Sequence, residues 1–125
     1  MPRPDHSALL AYVQAWSASD SKAARTRLSK CWTEESEIVG PGYYFKGLGP
    51  VLNEIERFHR EQPGYKAVAR SGFDAHGRWT RFSSRTEPEG KRTHEGWDIV
   101  EQDAEGTIRK VVTFWGSLSR LGNQE

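Results

Sequence analysis

The chain has 125 residues, with 18 basic against 17 acidic side chains and a formal net charge of +1. That length suits one domain, 1–125, with one sizeable core and not two. A charge so close to zero supplies no field that would draw the chain to nucleic acid or an anionic membrane, so neither is an expected partner and small neutral molecules fit better. No apolar run approaches the roughly 20 residues that span a bilayer, and Met1 to Asp5 offers no signal-peptide core, so a cytoplasmic place is expected. Cys31 is the only cysteine, which excludes an internal disulfide, and neither a CxxC pair nor an HExxH motif suggests a metal; no cofactor is expected. Five Trp, five Phe and four Tyr stand in a chain of low mean hydropathy, so aromatics must supply much of the core.

In chain order, Asp5 is a plausible cap for a first helix whose inner face carries Leu9, Tyr12, Val13 and Trp16. Asp20 caps a second helix from Ala23 to Cys31, with Leu28 inward and Trp32 just beyond. Glu37, Ile38 and Val39 form a short strand that Gly40, Pro41 and Gly42 stop, and Tyr43 and Tyr44 follow on a loop. Leu48, Val51, Leu52, Ile55 and Phe58 trace a third helix, ended by Pro63 and Gly64. From there to Leu118 the pattern is four strands with turns at Asp74 to Gly77, Glu87 to Gly90 and Asp103 to Gly106, an antiparallel meander. Helices first and strands after make an α+β order.

The last two strands carry apolar residues in both phases: Trp97, Ile99, Val112 and Phe114 in one, Val100, Val111 and Trp115 in the other. Both faces of the sheet should therefore be covered. Three helices screen one face, so a second copy is expected on the other, as a homodimer through the open face.

Ala11-Tyr12-Val13-Gln14-Ala15-Trp16 with Asp20, then Gly96-Trp97-Asp98-Ile99-Val100, Asp103-Ala104-Glu105-Gly106-Thr107-Ile108 and Phe114-Trp115-Gly116 resemble the opening and the last hairpin of the NTF2-like superfamily, in its SnoaL-like and ketosteroid-isomerase-like branch. The resemblance runs over nearly the whole chain and implies a cone, three N-terminal helices packed on a curved, mostly antiparallel sheet around one pocket. In ketosteroid isomerases a tyrosine of the first helix and a protonated aspartic acid of the penultimate strand donate hydrogen bonds to an enolate oxygen, opposite a separate carboxylate base. The resemblance places Tyr12 and Asp98 in those two roles and Trp115 in the pocket wall. It places the base just before Pro41, where this sequence has Gly40. That departure argues against steroid isomerisation.

The residues point the same way on their own. Asp98 shares its strand phase with Gly96 and Val100; if that phase faces the helices, desolvation favours the neutral carboxyl, which can donate a hydrogen bond. The simpler alternative is that Asp98 only bonds Tyr12 or backbone and fixes the core. Trp16, Trp32, Phe58, Thr113 and Trp115 are the candidate lining for a flat apolar ligand, although aromatics at such spacing are more often plain core. His59 and His94 would serve as bases if they faced the pocket, and surface places are the simpler reading; His76 lies in a turn and His6 near a terminus. Glu37 would replace the missing base only if it pointed inward, against which strand alternation argues. Arg78, Arg81, Arg85, Lys91 and Arg92 make the third strand and its turn basic, as a solvated edge would be; an inward Arg81 would pair with Asp98.

Two functions stand against each other. One is a cofactor-independent proton-transfer enzyme, an isomerase, cyclase or dehydratase, on a small apolar carbonyl or polyketide-like compound, with Tyr12 and Asp98 as donors. The other is a non-catalytic ligand-binding or dimerisation domain that lacks the base, which Gly40 favours. Nucleic-acid binding has only the basic third strand behind it.

Overall fold

The computed structural model describes residues 6–69, 71–88 and 94–115, the side chains at 85–88, 94, 95 and 115 excepted. Helix α1 (Ser7–Ser17) turns Leu9, Tyr12 and Val13 into the core. His6 stands at its N-cap without a side-chain capping bond, and Asp5 lies outside the described residues. Helix α2 (Ser21–Leu28) is capped by Asp20, whose carboxylate accepts from the Ala23 N–H at 3.1 Å. It ends earlier than the sequence suggests, because Lys30 and Cys31 close the last turn with tightened backbone bonds to the Arg27 and Leu28 carbonyls. Burial pushes the Cys31 thiol up to about 12, so this cysteine is an inert part of the core.

Strand β1 (Glu37–Gly40) does not end in a loop. It turns through Pro41 and Gly42, with Gly42 at φ 79°, straight into β2 (Tyr43–Lys46), antiparallel to it. The Gly-Pro-Gly breaker is therefore a hairpin turn, and Tyr43 and Tyr44 are strand residues on opposite faces. Gly47, at φ 91°, redirects the chain into α3 (Leu48–Glu61), which buries Val51, Leu52 and Ile55 along the expected stripe. The Trp32 indole N–H donates to the Gly47 carbonyl at 2.9 Å, which ties the exit of α2 to the start of α3.

The remaining strands are β3 (Tyr65–Ala69), β4 (Asp74–His76), β5 (Trp79–Pro88), β6 (His94–Gln102) and β7 (Ile108–Trp115). They form one sheet in the order β2-β1-β7-β6-β5-β3, with β4 hairpinned onto β5 off that path. The expected first turn of the meander thus contains a short strand of its own, and β3 pairs with β5 instead of its sequence neighbour. All ladders are antiparallel except β1 on β7. The helices lie against one face, where Leu9, Leu28, Ile38, Val51, Ile55, Phe82, Val100 and Val111 make the core. Ser17 anchors α1 on β3 by bonding both the N–H and the carbonyl of Ala67. Three helices on a curled mixed sheet are the α+β cone that the sequence suggested. Among the described residues no helix is long and apolar enough to cross a membrane.

Candidate functional site

The register of β5, β6 and β7 decides which side chains meet under the helices. Asp98 stands opposite Phe82 on one side and Thr113 on the other, all three buried, and its neighbours Trp97 and Ile99 point to the far face. The helix-facing phase of β6 is therefore Gly96, Asp98, Val100 and Gln102, as the sequence pattern required for a buried carboxyl.

Asp98 is 5 % exposed. The Thr113 hydroxyl donates to its Oδ1 at 2.6 Å and the Ser84 hydroxyl to its Oδ2 at 2.7 Å. No cation among the described residues pairs with it: Arg81 faces outward and holds Asp74 at 2.8 Å. Burial raises the Asp98 pKa from its ordinary value, and the two hydroxyl bonds offset this only in part. A protonated carboxyl keeps lone pairs for both hydroxyls while its own O–H remains a donor. The Thr113 hydroxyl is committed to Asp98. Ser84 was not singled out in the sequence, because the phase of β5 becomes readable only once its pairing with β6 is known.

Tyr12 enters this region from α1 and is 4 % exposed. Burial drives its hydroxyl pKa well above the ordinary tyrosine value, with the Asp98 charge second and Tyr43 next; the Trp16 indole one turn on lowers it. Asp98 and Tyr43 are thus near enough to act on Tyr12 electrostatically, and Tyr12 stays a neutral donor across the physiological range. Its ring stacks on Trp32, with centroids 5.7 Å apart. Trp16 meets Phe58 edge to face at 6.1 Å, and its buried indole N–H finds no acceptor at hydrogen-bonding geometry among the described residues. The side chain of Trp115 lies outside the described set.

The other candidates separate clearly. Glu37 points to solvent, as alternation implied; the Tyr44 hydroxyl bonds it and, helped by Lys110, Lys46 and Arg109, holds its pKa below the ordinary value. His59 is half-buried: it donates from Nε2 to the Trp16 carbonyl at 2.7 Å and clamps α3 to the end of α1. His76 lies beside Asp74 on the exposed strand β4, and the side chain of His94 is outside the described set. His6 packs on Phe73 at 4.6 Å. Among the described residues no three of His, Cys, Asp and Glu gather as metal ligands would.

Solved structures place this architecture. An NTF2-like protein from Cytophaga hutchinsonii shares it at a TM-score of 0.65 and 17 % identity, over 87 % of each chain. A candidate SnoaL-like polyketide cyclase from Shewanella denitrificans does so at 0.65 and 14 % identity, over 87 % of this chain and 88 % of that one. Both show the NTF2-like fold alone. A candidate isomerase of the SnoaL-like family from Agrobacterium tumefaciens is 32 % identical over 88 % of this chain and 95 % of its own, with a TM-score of 0.80. The chain belongs to the SnoaL-like family. No protein-family model and no curated protein matches the sequence.

Proposed function

We propose that the protein holds a small, mostly apolar carbonyl compound under its helices and stabilises negative charge on the carbonyl oxygen, as a cofactor-independent proton-transfer enzyme of the isomerase, cyclase or dehydratase kind. The observation that carries this reading is Asp98: a buried carboxyl with a raised pKa, on the same side of the sheet as Tyr12 and near enough to shift its ionisation. Two neutral donors close to each other suit an oxygen that becomes charged, and removing one such donor typically costs about 3–4 kcal/mol of transition-state stabilisation. The aromatic surround of Tyr12, Trp16, Trp32 and Phe58 suits a flat ligand.

Gly40 supports a second reading, a domain that binds such a ligand without turning it over, because position 40 carries no side chain able to take a proton. Titration with substituted phenols, which imitate an enolate, tests the donor pair that both readings share. Binding that tightens as the phenol becomes more basic, and weakens in Asp98→Asn and Tyr12→Phe, supports an oxyanion site. No binding, with both variants merely less stable, makes the pair structural. Turnover of a carbonyl substrate lost in Asp98→Asn would then favour the enzyme over the binder.

The proposed partner on the far face of the sheet is a second copy of the chain. Trp97 and Phe114 are cross-strand neighbours there, yet 50 % and 56 % exposed, and Ile99, Val112 and Val39 continue the apolar row. Glu101 opposite Lys110 borders it, giving an apolar centre with a charged margin. A dimeric mass at micromolar concentration supports this pairing; a monomeric mass removes it.

A further inference from the structure

We infer that Ser84 and Thr113 are positioning residues that gate the Asp98 site by its proton count: with Asp98 ionised their hydroxyls close it to an anionic oxygen, and with Asp98 protonated they leave it one O–H to give. The inference rests on the oxyanion reading above and assigns a regulation to that same site, the uptake of one proton with each anionic ligand.

The geometry is a chain of three side chains from three neighbouring strands. Ser84 of β5 donates to Asp98 Oδ2 at 2.7 Å, and Thr113 of β7 donates to Oδ1 at 2.6 Å. Register brings both within reach: Thr113 stands opposite Asp98 across β7 and β6, and Ser84 is the next inward residue after Phe82, which stands opposite Asp98 across β5 and β6. Among the described residues each hydroxyl bonds Asp98 alone.

The protons of this chain fit its contacts in only one of two states. A hydroxyl carries one O–H, and so does a neutral carboxyl. With Asp98 ionised, two O–H groups fill the two contacts and the chain is satisfied without a ligand. With Asp98 protonated, three O–H groups share the same two contacts, and one is left over whichever way the hydroxyls turn. Asp98, Ser84 and Thr113 are 5, 7 and 5 % exposed, so the remaining donor has little bulk water to turn to. A buried donor without an acceptor is costly, and a ligand oxygen removes that cost, an anionic one most of all. The titratable group that acts with Asp98 is Tyr12 from α1, on which Tyr43 of β2 and Cys31 act in turn; none is a cation or a carboxylate, and Arg81 of β5 faces outward on Asp74. The two hydroxyls are thus what holds the ionised, closed state against burial.

The test is binding of 4-nitrophenol across pH, with affinity expressed for the nitrophenolate, which absorbance reports, and with circular dichroism to confirm folding. Ser84→Ala truncates beside the small Gly96 and Ala69, and Thr113→Val keeps the shape of a side chain next to Gly40, whose Cβ space the Tyr43 ring fills. In the wild type the affinity should be level at low pH and fall about tenfold per pH unit once Asp98 ionises, because each anion then brings a proton with it. Asp98→Asn should lack that fall. Ser84→Ala and Thr113→Val should each keep the low-pH affinity within about threefold, begin to fall at higher pH, and above that point bind about fivefold or more tighter than wild type, since the lost hydroxyl favoured the ionised form. Variants that bind more weakly at every pH, with the fall where the wild type has it, would make the hydroxyls plain supports and overturn the inference. A wild-type affinity that does not fall would overturn it too. In both cases binding that still weakens in Tyr12→Phe leaves the oxyanion site standing, whereas no binding by the wild type removes that reading and this inference together.

Discussion

Glu37 and Asp98 stand on opposite faces of one sheet and meet the same kind of neighbour with opposite results. Each carboxyl accepts hydroxyl hydrogen bonds, Glu37 from Tyr44 and Asp98 from Thr113 and Ser84. Glu37 keeps its water as well, and its pKa falls; Asp98 has lost its water, and two hydroxyls do not replace it, so its pKa rises. Burial, more than the number of hydrogen bonds, sets the direction of the shift here. The faces differ in the same sense elsewhere: outer charges such as Arg81 and Asp74 pair in solvent, where such pairs contribute little.

The largest expected effect that separates the two faces is on packing. Phe82→Ala, on the inner rung and 1 % exposed, should cost about 3–5 kcal/mol in urea unfolding. Trp97→Ala on the outer face should leave the monomer within about 1 kcal/mol of wild type, with its effect confined to the dimer mass. A similar cost at both positions would break the distinction. Next, Ser84→Ala or Thr113→Val should each cost about 1–3 kcal/mol by leaving a buried carboxyl oxygen without its donor, and both should raise the Asp98 pKa further. A carboxyl carbon titration checks the direction.

The pH dependence comes third. The folded pKa of Asp98 lies above its unfolded value, so the unfolded chain gives up its proton first as pH rises. The contribution of Asp98 is therefore complete below the ordinary aspartate pKa and is lost as pH climbs through the raised folded value. Inside that window the stability of the wild type relative to Asp98→Asn should fall by up to about 1.4 kcal/mol per pH unit. A relative stability that rises with pH would mean that the hydroxyl bonds outweigh burial. The smallest effect is at Glu37: Glu37→Gln should leave the unfolding midpoint unchanged and lower the tyrosine pKa of Tyr44, which the carboxylate now raises.

Much of this was legible in the sequence where a pattern repeats. The α3 stripe and the Asp20 cap rest on residues that agree, whereas apolar residues in both phases of β6 left Asp98 inward only on condition, until its register with Phe82 and Thr113 was known. The hairpin was not legible, because Gly40-Pro41-Gly42 ends a strand and reverses one with the same residues; only the pairing of Gly40 with Tyr43 distinguishes them. Ser84 and the anchoring role of His59 were missed for a related reason. Their partners, Asp98 and the Trp16 carbonyl, are distant in sequence, and no local spacing announces a contact made by register or by helix packing. Tyr43 over Gly40 belongs to the same class: the sequence shows a missing side chain, and the fold shows what occupies its space.

The most direct test of the central claim is the titration of the Asp98 carboxyl by carbon NMR, in the free protein and with the tightest-binding phenol. The account predicts a pKa above the ordinary aspartate value in the free protein and a further rise in the complex, as the protonated form is held by donating to the bound oxygen. A pKa at or below the ordinary value, unmoved by the phenol, would make Asp98 a buried carboxylate satisfied by Ser84 and Thr113 alone and would contradict its role as a donor.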